Sequence, residues 1–465
     1  MSIPHFSWMP AETMHATTPS TRTRFVMFAA AMLLLGLLGI AYRDLPTRMF
    51  VADDFEWLVA VRDTTPAQLV QAFDPSQQEH FYRPLVWLLF YSQWQLFGSD
   101  PTGYHGLSLT LHLLNAALLG LLAWRLIGRP EAALVAAGVL LLHPAPFEAV
   151  TWVAAQSELL AALLLLAAAH AWISPTFRNG VLAVLLLALA LLAKESAVIG
   201  LCLMLLAGYG AGRPLMYGRS LAALLLTLGY LLIQAQVVMR NYLVQDDEYG
   251  LGAQILLNPL RSLGLVAAPL PGSGDGAAWW LIPVGVIVAF IVSLATWRSG
   301  LALRVGVAAL LITLIPTAPF ASPPDSRYIY LPVAMAALLL AGWIIHLHRP
   351  WQHMLVVGLV LAAALASVEL RSREVQFAVD AGPGTSLWRL AQAECGAAQL
   401  NRMLIVEPPL AAGHARAIVQ LACGERPRPL VVAAADTANE LRTNSLVVIF
   451  RSGRAEVIER TGPPR

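Results

Sequence analysis

Long apolar runs separated by short polar intervals set the pattern of this chain. Phe25 to Tyr42 is the first, followed by Tyr104 to Leu126, Ala132 to Leu142, Leu159 to Ile173, Val181 to Ala193, Ala197 to Tyr209 and Leu221 to Met239. Trp279 to Trp297, Leu303 to Pro319, Tyr328 to His346 and Met354 to Val368 complete a set of about eleven. A hydrocarbon core about 30 Å thick takes roughly 20 helical residues, and strict alternation is absent, so the runs predict spanning helices rather than barrel strands. Leu85 to Phe97 is too short to cross and predicts an interfacial segment anchored by Trp87, Tyr91 and Trp94. Ile255 to Leu270 is broken by Asn258, Pro259, Arg261 and Pro269 and reads as interfacial or re-entrant. It lies in a partly polar interval, Arg240 to Gly276, that also holds Asp246, Asp247 and Glu248.

Composition agrees with the pattern. The 465 residues are 58% hydrophobic and 12% charged, with a mean hydropathy of +0.65, against about 25% charged in soluble domains. No basic tract with interleaved aromatics exists, which excludes nucleic acid as a partner class. Arg22 and Arg24 precede the first run and no small-residue cleavage pattern follows it, predicting a retained helix with residues 1–24 as a cytoplasmic tail. With that orientation the inner turns hold Arg125, Arg129, Arg178, Arg213, Arg219, Arg298, Arg304 and Arg349, as the positive-inside bias requires.

Residues 25–369 are then a membrane domain with a first external loop at 43–103, and residues 370–465 lie outside. Within this tail Met403 to Val406, Leu430 to Ala433, Leu446 to Phe450 and Ala455 to Ile458 read as strands, and Leu387 to Leu400 and Gly413 to Ala422 as helices. They predict a small α/β domain. Cys395 and Cys423 share the tail and are able to pair if it is outside the cytoplasm; Cys202, within an apolar run, reads as a small hydrophobe.

Candidate chemistry centres on the polar interval Val51 to Pro84. It opens with Asp53 and Asp54 just beyond a membrane helix, where a carboxylate can take a proton from a hydroxyl or amine attacking a lipid-linked head group. The same two residues also suit the start of a helix near Phe55. Arg83, Lys194 and Arg327 fall at one expected depth in three separate segments, with Tyr328 beside them, an arrangement suited to one phosphate; singly, each also reads as a snorkelling anchor. Glu158 and Glu195 are candidates for pairing with Lys194. His143, Glu148, Gln156 and Ser157 add polar groups at the same face. His105 and His112, seven positions apart on one apolar helix, fit helix-packing hydrogen bonds better than a metal site.

Seven segments occur in order: DDF at Asp53 to Phe55, YRPL at Tyr82 to Leu85, LFGSDPTGYH at Leu96 to His105, LHLLNA at Leu111 to Ala116, HPAPFEAV at His143 to Val150, AKE at Ala193 to Glu195 and RYIYLP at Arg327 to Pro332. Together they resemble the GT-C class of integral-membrane glycosyltransferases, chiefly the branch of TMTC-type and PMT-like protein O-mannosyltransferases. The resemblance implies that Asp53 is the acceptor-side base and Asp54 its second acid. It also implies that Arg83, Lys194, Arg327 and Tyr328 contact the donor phosphate. Tyr82, His105, His143, Glu148, Glu158 and Glu195 would line the sugar and acceptor pocket. A polyprenyl-phosphate sugar would be the donor, and a protein, lipid A or polysaccharide the acceptor. No metal site is assigned and none is required, although a divalent ion is compatible with the acids. The expected form is a monomer in a bacterial inner membrane, with the tail in the periplasm. No tetratricopeptide period of about 34 residues follows the membrane domain, unlike the TMTC branch. Two other readings stay open: a polyprenyl-glycan flippase, and a scaffold acting through its tail.

Overall fold

In the computed structural model the described residues are 21–78, 81–213, 215–239, 249–250, 252–269, 278–297, 301–345, 347, 349–395, 400–424, 426–440 and 444–461. Residues 1–20, Arg240, Asp246, Asp247, Glu248 and Arg298 fall outside them. The helices are α1 (Thr21–Ala41), α2 (Asp53–Arg62), α3 (Pro84–Phe97), α4 (Pro101–Ile127), α5 (Pro130–Leu142), α6 (Phe147–Thr151), α7 (Gln156–Ile173), α8 (Phe177–Ala193), α9 (Gly200–Gly210) and α10 (Tyr217–Val238). They continue with α11 (Gln254–Ala267), α12 (Leu281–Trp297), α13 (Leu301–Thr313), α14 (Tyr330–Ile345), α15 (Arg349–Asp380), α16 (Gly382–Cys395) and α17 (Ala412–Cys423).

This is an α-helical polytopic membrane protein. Among the described residues five helical stretches are long and apolar enough to cross a membrane: Arg24–Thr47, Pro101–Ile127, Val153–Ile173, Tyr217–Val238 and Ser326–Ile344. Five shorter apolar helices accompany them. α3 has 14 residues and opens on Pro84, whose missing N–H costs nothing at a helix start. α11 also has 14, with Pro259 inside it, and is too short to cross the hydrocarbon. It lies tightly on α12, because Gly264 and Gly285 leave no room for a Cβ against the carbonyls of Leu281 and Leu260.

α15 runs unbroken for 32 residues, past Glu369, where the sequence suggested the membrane domain would end. Its outer part gathers three loops. Arg371 pairs with Asp44, and Glu374 with Arg48, in the segment that follows α1. Arg373 donates to the carbonyls of Pro144 at 3.3 Å and Pro269 at 3.1 Å.

The tail carries one four-stranded sheet ordered β2-β1-β3-β4, from β1 (Arg402–Val406), β2 (Arg428–Val432), β3 (Ser445–Arg451) and β4 (Arg454–Arg460). β1 is parallel to both β2 and β3. β3 and β4 form an antiparallel hairpin whose two-residue turn, Ser452 and Gly453, has φ of +50° and +76°, matching the twist of the strands. Cys395 and Cys423 are bonded, with Cα atoms 5.3 Å apart. The tail is not a separate body. Phe55, Leu58 and Val61 of α2 share one buried cluster with Leu387 and Trp388 of α16, Ile418 of α17 and Ile405 of β1. Burial of these side chains, at about 25 cal/mol per Å² of apolar surface, welds the loop that holds α2 to the tail.

Candidate functional site

Asp53 and Asp54 begin α2, and the first turn of that helix separates their roles. Asp54 is 1% exposed, and its two oxygens accept the N–H of Val51 at 2.9 Å and of Ala154 at 2.6 Å. Burial outweighs these bonds and pushes its carboxyl up to about 8. Asp54 is thus a clamp between the loop and the segment before α7, which corrects its reading as a second catalytic acid: neither oxygen is free to meet a substrate. Asp53, one residue earlier, has a side chain about half exposed (49%), and its Oδ1 lies 3.0 Å from Nε2 of His414 on α17. Glu56, one turn on, completes a trio whose ligand-type atoms all lie within 4.8 Å of one another, a spacing that also suits a divalent cation. His414 and Glu56 were not singled out from the sequence.

The three expected cations do meet, but each already faces a carboxylate. Arg83 binds Glu195 through two parallel bonds of 2.7 Å. Lys194, 3% exposed, pairs with Glu158 at 2.8 Å and lies 5.1 Å from the ring centroid of Tyr328. Arg327 pairs with Asp325 at 2.6 Å, receives Glu148 on its backbone N–H at 3.2 Å and stacks 4.6 Å from the ring of Trp152. The sequence reading coupled both glutamates to Lys194; the fold divides them, because Lys194 caps the end of α8 while Glu195 opens the next turn toward Arg83. These pairs settle the cost of burying each charge. Burial also raises the Glu148 carboxyl.

Beside the pairs lies a cavity of about 200 Å³, lined by Glu158, Lys194, Glu195, Tyr328, Tyr249 and Phe320 among others. Trp152 links it to the acidic loop, since its Nε1 donates to the carbonyl of Val51 at 3.2 Å while its ring carries Arg327. Three residues expected at the sugar pocket are committed elsewhere. His143 donates from Nε2 to Val266 at 3.0 Å and accepts the N–H of Ala145 on Nδ1 at 3.2 Å. His105 reaches the carbonyl of Arg48 at 3.2 Å, and Tyr82 donates to Phe73 at 3.0 Å. They brace the loops around the cavity and are corrected from lining to support. His112 bonds Tyr330 at 2.8 Å and Leu141 at 3.2 Å, so the two histidines serve packing, not a shared metal.

No protein family model matches the chain. Over 199 residues it is 28% identical to the protein O-mannosyl-transferase TMTC3 of Mus musculus, a match covering 38% of this chain and 21% of that protein. The chain therefore spans about a fifth of the curated relative's length. Two crystal structures of ArnT from Cupriavidus metallidurans share its fold. The apo form has a TM-score of 0.56 at 14% identity, covering 94% of this chain and 98% of that one. The form bound to undecaprenyl phosphate has a TM-score of 0.54 at 13% identity, covering 94% and 99%. Both likenesses agree with the GT-C resemblance of the seven segments: the chain is folded as ArnT is, from its first membrane helix to its tail.

Proposed function

We propose that this chain transfers a sugar from a polyprenyl-phosphate donor to a hydroxyl or amine acceptor at the face that carries Asp53. The observation that supports it most is a cavity lined by Lys194, Glu195 and Tyr328, with Arg83 bonded to Glu195 and Arg327 stacked 4.8 Å from the Tyr328 ring just behind its wall, and Trp152 joining Arg327 to the Asp53 loop. TMTC3 is by name an O-mannosyl-transferase, and ArnT has been crystallised with undecaprenyl phosphate, which fits a lipid-linked donor.

Asp53 accepts the acceptor's proton as its oxygen or nitrogen attacks the anomeric carbon. The new bond forms as the bond to the phosphate oxygen breaks, and a single displacement inverts the sugar carbon. The leaving polyprenyl phosphate takes its charge onto the cations, so their carboxylate partners must yield as it binds. Lys194 and Arg83, on adjoining segments, would exchange Glu158 and Glu195 for phosphate oxygens. The setting proposed is an inner membrane, with Asp53, the cavity and the tail on the periplasmic side.

The test is transfer by purified chain from a radiolabelled polyprenyl-phosphate sugar, comparing the parent with Asp53→Asn. Loss of product with unchanged melting supports the reading, and near-parental turnover removes Asp53 from the chemistry.

A further inference from the structure

At the end of the bundle opposite the acidic loop, three arginines stand without acids among the described residues. Arg125 is in the last turn of α4, Arg213 follows α9 and Arg219 is in the first turn of α10. Between His105, under the acidic loop, and Arg125 runs roughly 30 Å of α4. α9 closes with the N–H of Arg213 on Gly208 at 2.9 Å and that of Gly212 on Tyr209 at 3.0 Å. Gly212 has a φ of +67°, the left-handed closure that turns the chain sharply before Arg213.

Nη1 of Arg125 donates to the carbonyl and Nδ1 of His170, both at 3.0 Å. The Arg219 guanidinium stacks 4.4 Å from the ring of Trp172 and donates to Ser174 at 3.2 Å. Gly208, whose carbonyl holds the N–H of Arg213, packs against the Trp172 ring on which Arg219 stacks, and His170, the partner of Arg125, lies two residues before Trp172. Among the described residues no carboxylate pairs with any of the three, whereas Arg83, Lys194 and Arg327 each have one. Nε of Arg213, Nε of Arg219 and Oγ of Ser220 are all buried without a hydrogen-bond partner. A positive-inside bias accounts for arginines at this end. It does not account for buried guanidinium N–H groups left unmet, since charges placed for topology alone reach water. The start of α10, where Arg219 sits, also favours an anion over a cation.

A second feature adjoins the cluster. Leu126, Ala169, Leu206, Gly210, Leu303 and Leu339 line an almost wholly apolar groove between α4, α7, α9, α13 and α14. Leu126 and Ala169 are the chain neighbours of Arg125 and His170, and Gly210 precedes Arg213 by three residues, so the groove reaches the end of the bundle that holds the arginines. Phe177, Tyr209 and Tyr217 are exposed by 83%, 55% and 78% around this end, as side chains at head-group level are.

We infer that this is a binding site for an anionic phospholipid, its phosphodiester oxygens accepting from Arg125, Arg213, Arg219 and Ser220 while an acyl chain enters the groove. The like charges then share one anion, and the buried donors gain acceptors. Charge complementarity selects the head group, and the groove selects a lipid over free phosphate.

The full chain in neutral detergent is titrated with dioleoyl phosphatidylglycerol, dioleoyl phosphatidylcholine and inorganic phosphate, and bound lipid is counted by native mass spectrometry. Phosphatidylglycerol should bind at least tenfold more tightly than the other two. Each Arg→Gln change should weaken it roughly fivefold. Arg213→Gln is the primary variant, because its side chain holds no other element in place. Ala207 also lines the groove, and Ala207→Trp, which fills it, should weaken the lipid without strengthening phosphate. Equal binding of phosphatidylcholine, or unchanged binding by a folded Arg213→Gln chain, overturns the site. Inorganic phosphate matching the lipid overturns the lipid assignment. None of these readouts depends on transfer activity.

Discussion

His414 and Asp53 meet at 3.0 Å although 361 positions separate them in the chain. The contact joins α17 of the tail to the first residue of α2, so the proposed base takes its setting partly from the far end of the sequence. The hydrogen bond to Asp53 raises the His414 pKa. A raised value means the folded state favours the imidazolium. Its contribution to stability is therefore complete below the unfolded value of about 6.5 and fades as pH rises through the folded one. The protection of α2 amides against hydrogen exchange, relative to the base-catalysed intrinsic rate at each pH, should fall between pH 6 and pH 9, and His414→Ala should remove most of that fall. Identical exchange in the parent and variant at both pH values would show that the pair does not hold the loop.

Asp54 supplies a second pH dependence with the same sign. Its carboxyl, pushed up by burial to about 8, binds more protons folded than unfolded between roughly pH 4 and pH 8. Stability contributed by this group is present below pH 4 and is lost as pH rises through 8. Asp54→Asn should melt lower at acidic pH, because the amide nitrogen cannot accept one of the two backbone N–H groups. It should also show a flatter melting profile from pH 4 to 8, measured by differential scanning fluorimetry.

Lys194 and Glu158 test the cost of a buried charge. Lys194→Met leaves Glu158 facing an apolar wall, a change worth about 3–5 kcal/mol in buried pairs. The double variant Lys194→Met with Glu158→Gln should recover most of the stability and none of the donor binding. Chemical denaturation measures the first and binding of polyprenyl phosphate the second. Recovery of both would mean that Lys194 is a packing residue alone.

Trp388 separates loop support from chemistry. Its ring packs 6.0 Å from Phe55 in the cluster shared by loop and tail. Trp388→Ala should cost about 3–5 kcal/mol. It should also lower transfer although Trp388 touches neither Asp53 nor the cavity. Proteolysis within Asp53 to Arg62 should rise in parallel.

The membrane helices, the short helix α3 and the tail strands were legible because each writes a local period or length into the sequence. All four strands fall on the short apolar pieces that predicted them. Arg83, Lys194 and Arg327 were legible as a group, because each stands where an apolar run meets a polar interval. Their partners were not: Glu195 turns to Arg83 instead of its neighbour Lys194, a choice made by chain direction after α8. His414 carried no signal at all, since nothing near position 414 refers to position 53. The bracing roles of His143 and His105 were equally hidden, because a buried imidazole and a substrate-facing one look alike until their acceptors are known.

The unbroken helix from Arg349 to Asp380 has a mechanical consequence. A rod of that length, near 48 Å at about 1.5 Å per residue, acts as a lever: tilting its membrane end by 5° moves its other end roughly 4 Å. Thickening or thinning of the surrounding bilayer would therefore reposition the sheet, and with it the Asp53 loop packed against it, relative to the bundle that holds Lys194.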